Sequence, residues 1–301
     1  MCAWVSALPL HLQQRLLLSP KLTMQCSSFG SFSYLRFWVV ALVCGSLAGC
    51  GPSAEADKTS PNTESTVLIA VASNFVSTLT ELKAVFEASE PYQLKMAAGS
   101  TGKLYAQIVA GAPFDVFLAA DQERPQRLVL EGLADNSFNY AAGKLVLWTA
   151  AQTEPDLSGP TDTPEATLVA LLASSSVRRI AIANPALAPY GRAAQEALVQ
   201  LGVAEAIESR LVYGENIGQA HAMVATGNAD FGFTAASYLR TAETDAALIW
   251  PVSRALHTPI VQQGVWLRRA ASNSAAAAFL KFIKTDKARE IIRAGGYEVA
   301  L

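Results

Sequence analysis

Apolar and polar positions fall in blocks along this chain, and the period of the apolar positions changes from block to block. Residues Val67 to Ala72 form a branched apolar run of strand length. Ser73 and Asn74 follow, and then Leu79, Leu82, Val85 and Phe86 recur at helical spacing until Glu90-Pro91 stops them. The order strand, polar turn, helix then repeats. Leu94 to Ala98 reads as a strand, Gly99-Ser100-Thr101-Gly102 as a turn, and Leu104, Ile108 and Val109 as the apolar face of a short helix. Asp115 to Ala119 is a third strand, Gln126 to Leu130 a helix, and Lys144 to Thr149 another strand.

A Pro-, Thr- and Asp-rich loop from Gln152 to Pro164 interrupts the alternation. Beyond it the pattern predicts a helix over Leu168 to Leu172, a strand over Arg179 to Ala183 and a loop over Asn184 to Tyr190. A helix over Arg192 to Leu201, a strand over Leu211 to Tyr213, a helix over Gly218 to Thr226 and a strand over Phe231 to Thr234 come next. The strand Ile260 to Leu267 and helices over Ser274 to Ile283 and Lys287 to Ala294 complete the chain. Alternation of this kind argues for parallel sheets covered by helices, an α/β fold.

Four of the polar turns share one design. Ser73-Asn74, Ser100-Thr101, the loop ending at Tyr190 and Asn216-Ile217-Gly218 each join a strand to a helix. In a parallel α/β layout such turns gather at the carboxyl ends of the strands, where ligands bind. Each also sits at a helix amino end, where free N–H groups and the helix dipole favour an anion. Taken singly, each Ser or Thr reads equally as an ordinary helix cap. The set of four is what points to an anion.

The remaining chemistry narrows the picture by exclusion. His221 and His257 are isolated, with no Cys or Glu cluster around them to make a metal site. Asp115, Asp121 and Asp230 read as capping or turn residues, and Trp148, Trp266 and Phe282 as core. Ala98 to Lys103 lacks the glycine spacing and the Lys-Ser/Thr ending of a phosphate loop. No Gly-x-Ser-x-Gly elbow is present, and no catalytic residue is assigned.

The amino end changes the compartment. Phe37 to Cys50 is an apolar run behind Arg36 that ends in Leu-Ala-Gly-Cys, which reads as a secretion signal over 1–49. An uncleaved anchor helix is the alternative, and Met24 is an alternative start. Leu47 to Cys50 resembles the bacterial lipoprotein box, which implies that Cys50 is lipidated and holds the protein at a membrane outside the cytoplasm. All four cysteines lie within the first fifty residues, so the exported body has no disulfide framework. Residues 50–65 are rich in Ser, Thr, Pro and acids and read as a solvated tether. The signal segment carries Arg15, Lys21 and Arg36 and no acid, so its loss takes the formal net charge from −2 to −5. A mildly acidic body argues against nucleic acid as a partner.

Several segments together resemble a known family. They are Val71-Ala-Ser-Asn-Phe75, Gly99-Ser-Thr-Gly102, Gly111 to Asp121, Gly143 to Trp148, Asn184 to Gly191, Tyr213 to Gln219 and Gly227 to Phe233. This run of motifs, spread over nearly all of Val67 to Leu301, is similar to the periplasmic molybdate-binding proteins of the ABC-type molybdate importer. The resemblance implies a two-lobed, type II periplasmic binding-protein fold, each lobe a mostly parallel sheet flanked by helices. Lobe one is expected over 66–144 and 259–301, and lobe two over 145–258. It implies no enzyme activity and no cofactor. It also implies a monomer that binds molybdate or tungstate as the oxyanion, without direct protein ligands to the metal, and hands it to an ABC importer permease.

The binding residues carried over are Ser73, Asn74, Ser100 and Thr101 from the first lobe, with Tyr190 and Ile217 contributing mainly backbone N–H groups from the second. The family pattern often has Ser-Ser-Gly where this chain has Ser100-Thr101-Gly102, and Thr101 keeps a hydroxyl. Some members place a Tyr near the position of Phe233. Its absence removes one donor and fits a branch that uses Asn at the first turn. Sulfate, thiosulfate or another oxyanion, and an extracytoplasmic hydrolase, stand as alternative readings.

Overall fold

The computed structural model describes residues 65–150, 161–240 and 248–299, all within one compact unit spanning Lys58–Leu301. The expected signal segment, Cys50 and the tether up to residue 64 lie outside the described residues. The chain begins with β1 (Thr66–Ala72), a 3-10 turn Ser73–Phe75, α1 (Val76–Ser89), β2 (Gln93–Gly99), α2 (Thr101–Val109) and β3 (Val116–Leu118). It continues through α3 (Glu123–Leu130), β4 (Ala134–Ala142), β5 (Leu145–Thr149), α4 (Pro164–Ala173), β6 (Ile180–Ala183), α5 (Pro189–Gln200) and α6 (Ala204–Ile207). The last elements are β7 (Leu211–Gly214), α7 (Ile217–Ala225), β8 (Phe231–Ala235), β9 (Leu248–Pro251), β10 (Val261–Leu267), α8 (Ser274–Phe282) and α9 (Asp286–Ala294).

These strands form two five-stranded sheets, ordered β2-β1-β3-β10-β4 and β7-β6-β8-β5-β9. Each sheet is mixed. Its first three strands run parallel, and the remaining two pairings are antiparallel. Two edge strands were not apparent from the sequence pattern, β4 in the first sheet and β9 in the second. Each sits at a sheet edge, and the polar sequence Ala-Asp-Asn-Ser-Phe-Asn of β4 has no continuous apolar run to reveal it.

Both faces of the first sheet are buried, which explains the unbroken apolar run of β1. Val67, Ile69 and Val71 pack on one side with Leu79, Leu82 and Phe86 of α1 and Phe279 of α8. Ala70 and Phe117 pack on the other side with Leu104 and Ile108 of α2 and Leu128 of α3. The helix α1 ends where it must: Glu90 is extended, at φ −127° and ψ 149°, because the following Pro91 disfavours the helical region. The second sheet has its own core, built from Leu147, Trp148, Ile180, Ile182 and Phe233 with Leu168 and Leu171 of α4 and Ala194 and Leu198 of α5.

The chain passes between the sheets twice, once after β4 and once before β10. The two passes touch, since the Gly143 N–H donates to the Ile260 carbonyl at 2.9 Å. Gly143 has no alternative here, because a Cβ at that position would lie 2.0 Å from the Tyr190 hydroxyl oxygen.

Candidate functional site

Each predicted turn leaves the carboxyl end of a strand and opens a helix, as the pattern required. The chain leaves β1 into Ser73–Phe75, β2 into Ser100 and α2, β6 into the loop before α5, and β7 into Asn216 and α7. The four starts meet at one small pocket of about 10 Å³, lined by Ala72, Ser73, Asn74, Gly99, Ser100, Thr101, Ala120, Ala188, Pro189, Tyr190, Asn216 and Ile217. All six residues expected to bind ligand therefore line the same space. Ligand pockets for drug-sized molecules run to about 300–1,000 Å³, so this one suits only a very small ligand. A larger groove of about 770 Å³ lies between α1 and α8, away from these four turns.

No lining residue is charged. What the pocket supplies is hydrogen-bond donors. The first residues of a helix have N–H groups without intrahelical partners, and here the first turns of α2, α5 and α7 and the 3-10 turn all open on the pocket. Their dipoles add partial positive charge at the same place.

Ser100 behaves unlike the other caps of this chain. Thr163, Asn216, Asn273 and Thr285 each accept an N–H from the third residue of their helix. Ser100 occupies the same position before α2 and makes no such bond. Its hydroxyl is buried and has no hydrogen-bond partner, and the residue is 2% exposed. Leaving a buried hydroxyl unpaired costs roughly 1–3 kcal/mol, so such a group calls for a partner, and this one lines the pocket.

The other residues divide between pocket and scaffold. The Thr101 hydroxyl accepts the Ala120 N–H at 3.1 Å, which leaves its own proton to donate. Asn74 is different from expectation. Its amide nitrogen donates to Gln262 Oε1 at 3.0 Å and to the Tyr297 hydroxyl at 3.1 Å, so both side-chain donors are already engaged. Asn74 thus has its backbone, not its side-chain amide, left to face the pocket. Tyr190 turns its side chain toward Gly143, where its hydroxyl accepts from Gln262 Nε2 at 3.4 Å. It too presents only its N–H. Ile217 is 3% exposed, and the cap bond of Asn216 goes to Gln219, leaving the Ile217 N–H unclaimed by that cap.

Behind the pocket, Tyr140 and Tyr190 bond to Gln262, and Tyr297 bonds to Asn74. Burial pushes all three phenols well above their usual pKa. They stay neutral at any physiological pH and place no negative charge behind an anion. Among the described residues no group of three or more His, Cys, Asp or Glu side chains could hold a metal ion.

The two sheets are held together around the pocket. The Gly102 N–H donates to the Leu187 carbonyl at 2.8 Å, and Arg124 reaches the Ala186 carbonyl at 3.1 Å while paired with Asp121. At the rim Lys103 pairs with Glu215 at 2.8 Å and Arg192 with Glu123 at 3.0 Å. Lys103 is thus a cross-sheet partner. Sequence reasoning also missed Ala120, Gln262 and Tyr238. Nothing in their local pattern marks them, since their roles come from contacts far apart in the chain.

Comparison with known proteins gives a consistent result. Residues 67–298 match the family described as bacterial extracellular solute-binding protein. The chain is 40% identical over 270 residues to the molybdate-binding protein ModA of Azotobacter vinelandii, covering 89% of this chain and 98% of that protein. It is 41% identical over 233 residues to the protein of the same name from Rhodobacter capsulatus, covering 77% and 87%. The solved structure of the Azotobacter vinelandii periplasmic molybdate-binding protein superposes with a TM-score of 0.70 at 36% identity, covering 78% of this chain and 100% of that one.

Proposed function

We propose that this chain, which belongs to the family of bacterial extracellular solute-binding proteins, captures molybdate or tungstate outside the cytoplasm and delivers it to an ABC importer. The observation that carries the reading is the Ser100 hydroxyl, buried, unpaired and placed at a helix start where three other helix starts converge. A tetrahedral dianion satisfies it. Ser73, Asn74, Ser100 and Thr101 supply donors from the first sheet, and Tyr190 and Ile217 supply backbone N–H groups from the second.

The chemistry favours neutral donors over a salt bridge. A dianion taken out of water is costly unless hydrogen-bonded on every side, and fixed N–H groups at helix ends meet that need without lysine or arginine. Sulfate and phosphate are smaller tetrahedra, so donors held at a fixed spacing reach them poorly. Rejection then comes from groups left unpaired rather than from charge. The relatives of 40% and 41% identity carry the name molybdate-binding protein, which supports the same ligand.

The two sheets with their helices serve as two lobes, 66–144 with 259–301 and 145–258, and the passes near Gly143 and Ile260 serve as the hinge. The touching of those passes supports this division. Closure over the anion gives a form that the importer permease recognises. Cys50 carries the lipid that holds the protein, as a monomer, at the membrane surface in the periplasm. Mass spectrometry of the amino-terminal peptide tests that last point, and an unmodified terminus well beyond Cys50 would reject it.

Titration calorimetry with molybdate, tungstate, sulfate and phosphate tests the ligand. Molybdate and tungstate are expected to bind tightly and the other two weakly. Sulfate binding as tight as molybdate would overturn the assignment in favour of a general oxyanion carrier.

A further inference from the structure

Tyr238 lies in a short 3-10 turn, Ala236–Leu239, that follows β8 of the second sheet. Its hydroxyl donates to the Ser73 carbonyl at 2.8 Å, across to the first sheet. The neighbouring Ser237 hydroxyl donates to the Asn74 carbonyl at 3.0 Å. These two carbonyls belong to the peptide units of the first anion-binding turn. The peptide that carries the Ser73 carbonyl also carries the Asn74 N–H. A hydrogen bond to the carbonyl therefore fixes the orientation of that N–H and polarises it as a donor.

The other side of Tyr238 is held just as firmly. Its ring stacks on His221 at 4.8 Å and 16°, and His221 stacks on Trp148 at 4.4 Å and 14°. His221 belongs to α7, the helix whose first residue is Ile217. One turn earlier on the same face is Gly218, where a Cβ would lie 2.7 Å from the Tyr238 hydroxyl oxygen. Glycine there lets the phenol lie against the start of α7. Tyr238 therefore touches two of the four helix starts at once, the α7 start by packing and the Ser73–Phe75 turn by its hydroxyl.

We propose that Tyr238 is a positioning residue that sets the distance between the α7 donors and the Ser73–Asn74 donors, and thereby the size of oxyanion the pocket accepts. The column Trp148–His221–Tyr238 is the spacer. The inference rests on the oxyanion reading of the pocket and assigns the basis of its size selection. Tyr238 itself touches no ligand. Without its hydroxyl the first turn is free to relax toward a smaller anion, so molybdate is held less well while sulfate is not.

The test is calorimetry with molybdate and sulfate on wild type, Tyr238→Phe, His221→Phe and His221→Ala, each checked for a cooperative melt. Tyr238→Phe keeps the ring column and removes one neutral hydrogen bond, so molybdate affinity is expected to fall about two- to tenfold. Sulfate affinity should stay the same or rise, narrowing the ratio between the two anions. His221→Phe should keep the wild-type ratio because a flat ring still fills the column, and His221→Ala should behave like Tyr238→Phe. Equal weakening for both anions in Tyr238→Phe, or no change for either, would overturn the inference while leaving the oxyanion reading intact. A wild type that binds no oxyanion would overturn both.

Discussion

Replacing Ser100 with Ala separates a ligand donor from a helix cap. An ordinary serine cap lost from a helix costs about 1 kcal/mol of folding stability, or about 2–4 °C of melting temperature for a protein of this size. Ser100 makes no capping bond, so its removal should move the melting temperature of the ligand-free protein by less than that. Affinity should respond strongly. A hydrogen bond to a charged group contributes roughly 1.5–3 kcal/mol, and at about 1.4 kcal/mol per factor of ten the loss is roughly tenfold to more than a hundredfold. Asn216→Ala is the control, because Asn216 does cap its helix at 3.1 Å and should lose melting temperature by the full capping amount. The assay is titration calorimetry with molybdate beside differential scanning calorimetry without it. Unchanged affinity in Ser100→Ala, with the melting temperature lowered as in Asn216→Ala, would show that Ser100 is a cap after all.

Three further outcomes follow from the same geometry. Ile217→Ala should destabilise the fold by roughly 2–5 kcal/mol, as for other buried aliphatic truncations, yet keep molybdate affinity within a few fold. Its donor is the backbone N–H; chemical denaturation and calorimetry read the two effects separately. Gly143→Ala pushes a methyl into the Tyr190 hydroxyl and should weaken both binding and stability, the latter by about 1–3 kcal/mol for overpacking, measured by the same pair of assays. Burial holds the His221 imidazole down to about 4, so the unfolded chain binds a proton between about pH 6.5 and 4 that the folded one does not. Stability should therefore fall as pH drops through that window. His221→Phe should flatten that part of a melting-temperature profile, and an unaltered slope would show that other groups carry it.

The α/β class, the order of most elements and the four pocket-lining turns were legible because local pattern determines them. Period-two and period-3.6 apolar runs follow from burial on one sheet face or one helix stripe, and polar turns must punctuate them. The antiparallel edge β4 was not legible, since an edge strand needs no continuous apolar run, and β9, Leu-Ile-Trp-Pro, is apolar but only four residues long and ends in proline. Site positions were legible as types but not as roles. The sequence identifies Asn74 as a pocket residue, yet it does not say that its side chain turns back to Gln262 and Tyr297 and leaves only the backbone to face the pocket. Nor does it mark Ser100 as the exception among the five Ser, Thr and Asn caps of the described α-helices. Those facts depend on residues far apart in sequence, such as Tyr190 with Gln262, 72 positions away, and Asn74 with Tyr297, 223 positions away. His221 reads as an isolated histidine, and only the fold stacks it between Trp148 and Tyr238.

The central claim is that the four converging helix starts hold one oxyanion. Crystals of the protein grown with molybdate, measured at the molybdenum absorption edge, test it most directly through the anomalous difference map. A single strong peak is expected between Ser100, Thr101, Asn74, Tyr190 and Ile217, surrounded by hydrogen-bond donors and with no protein atom bonded to the metal. A peak in the groove between α1 and α8, or no peak in that pocket at saturating molybdate, would contradict it.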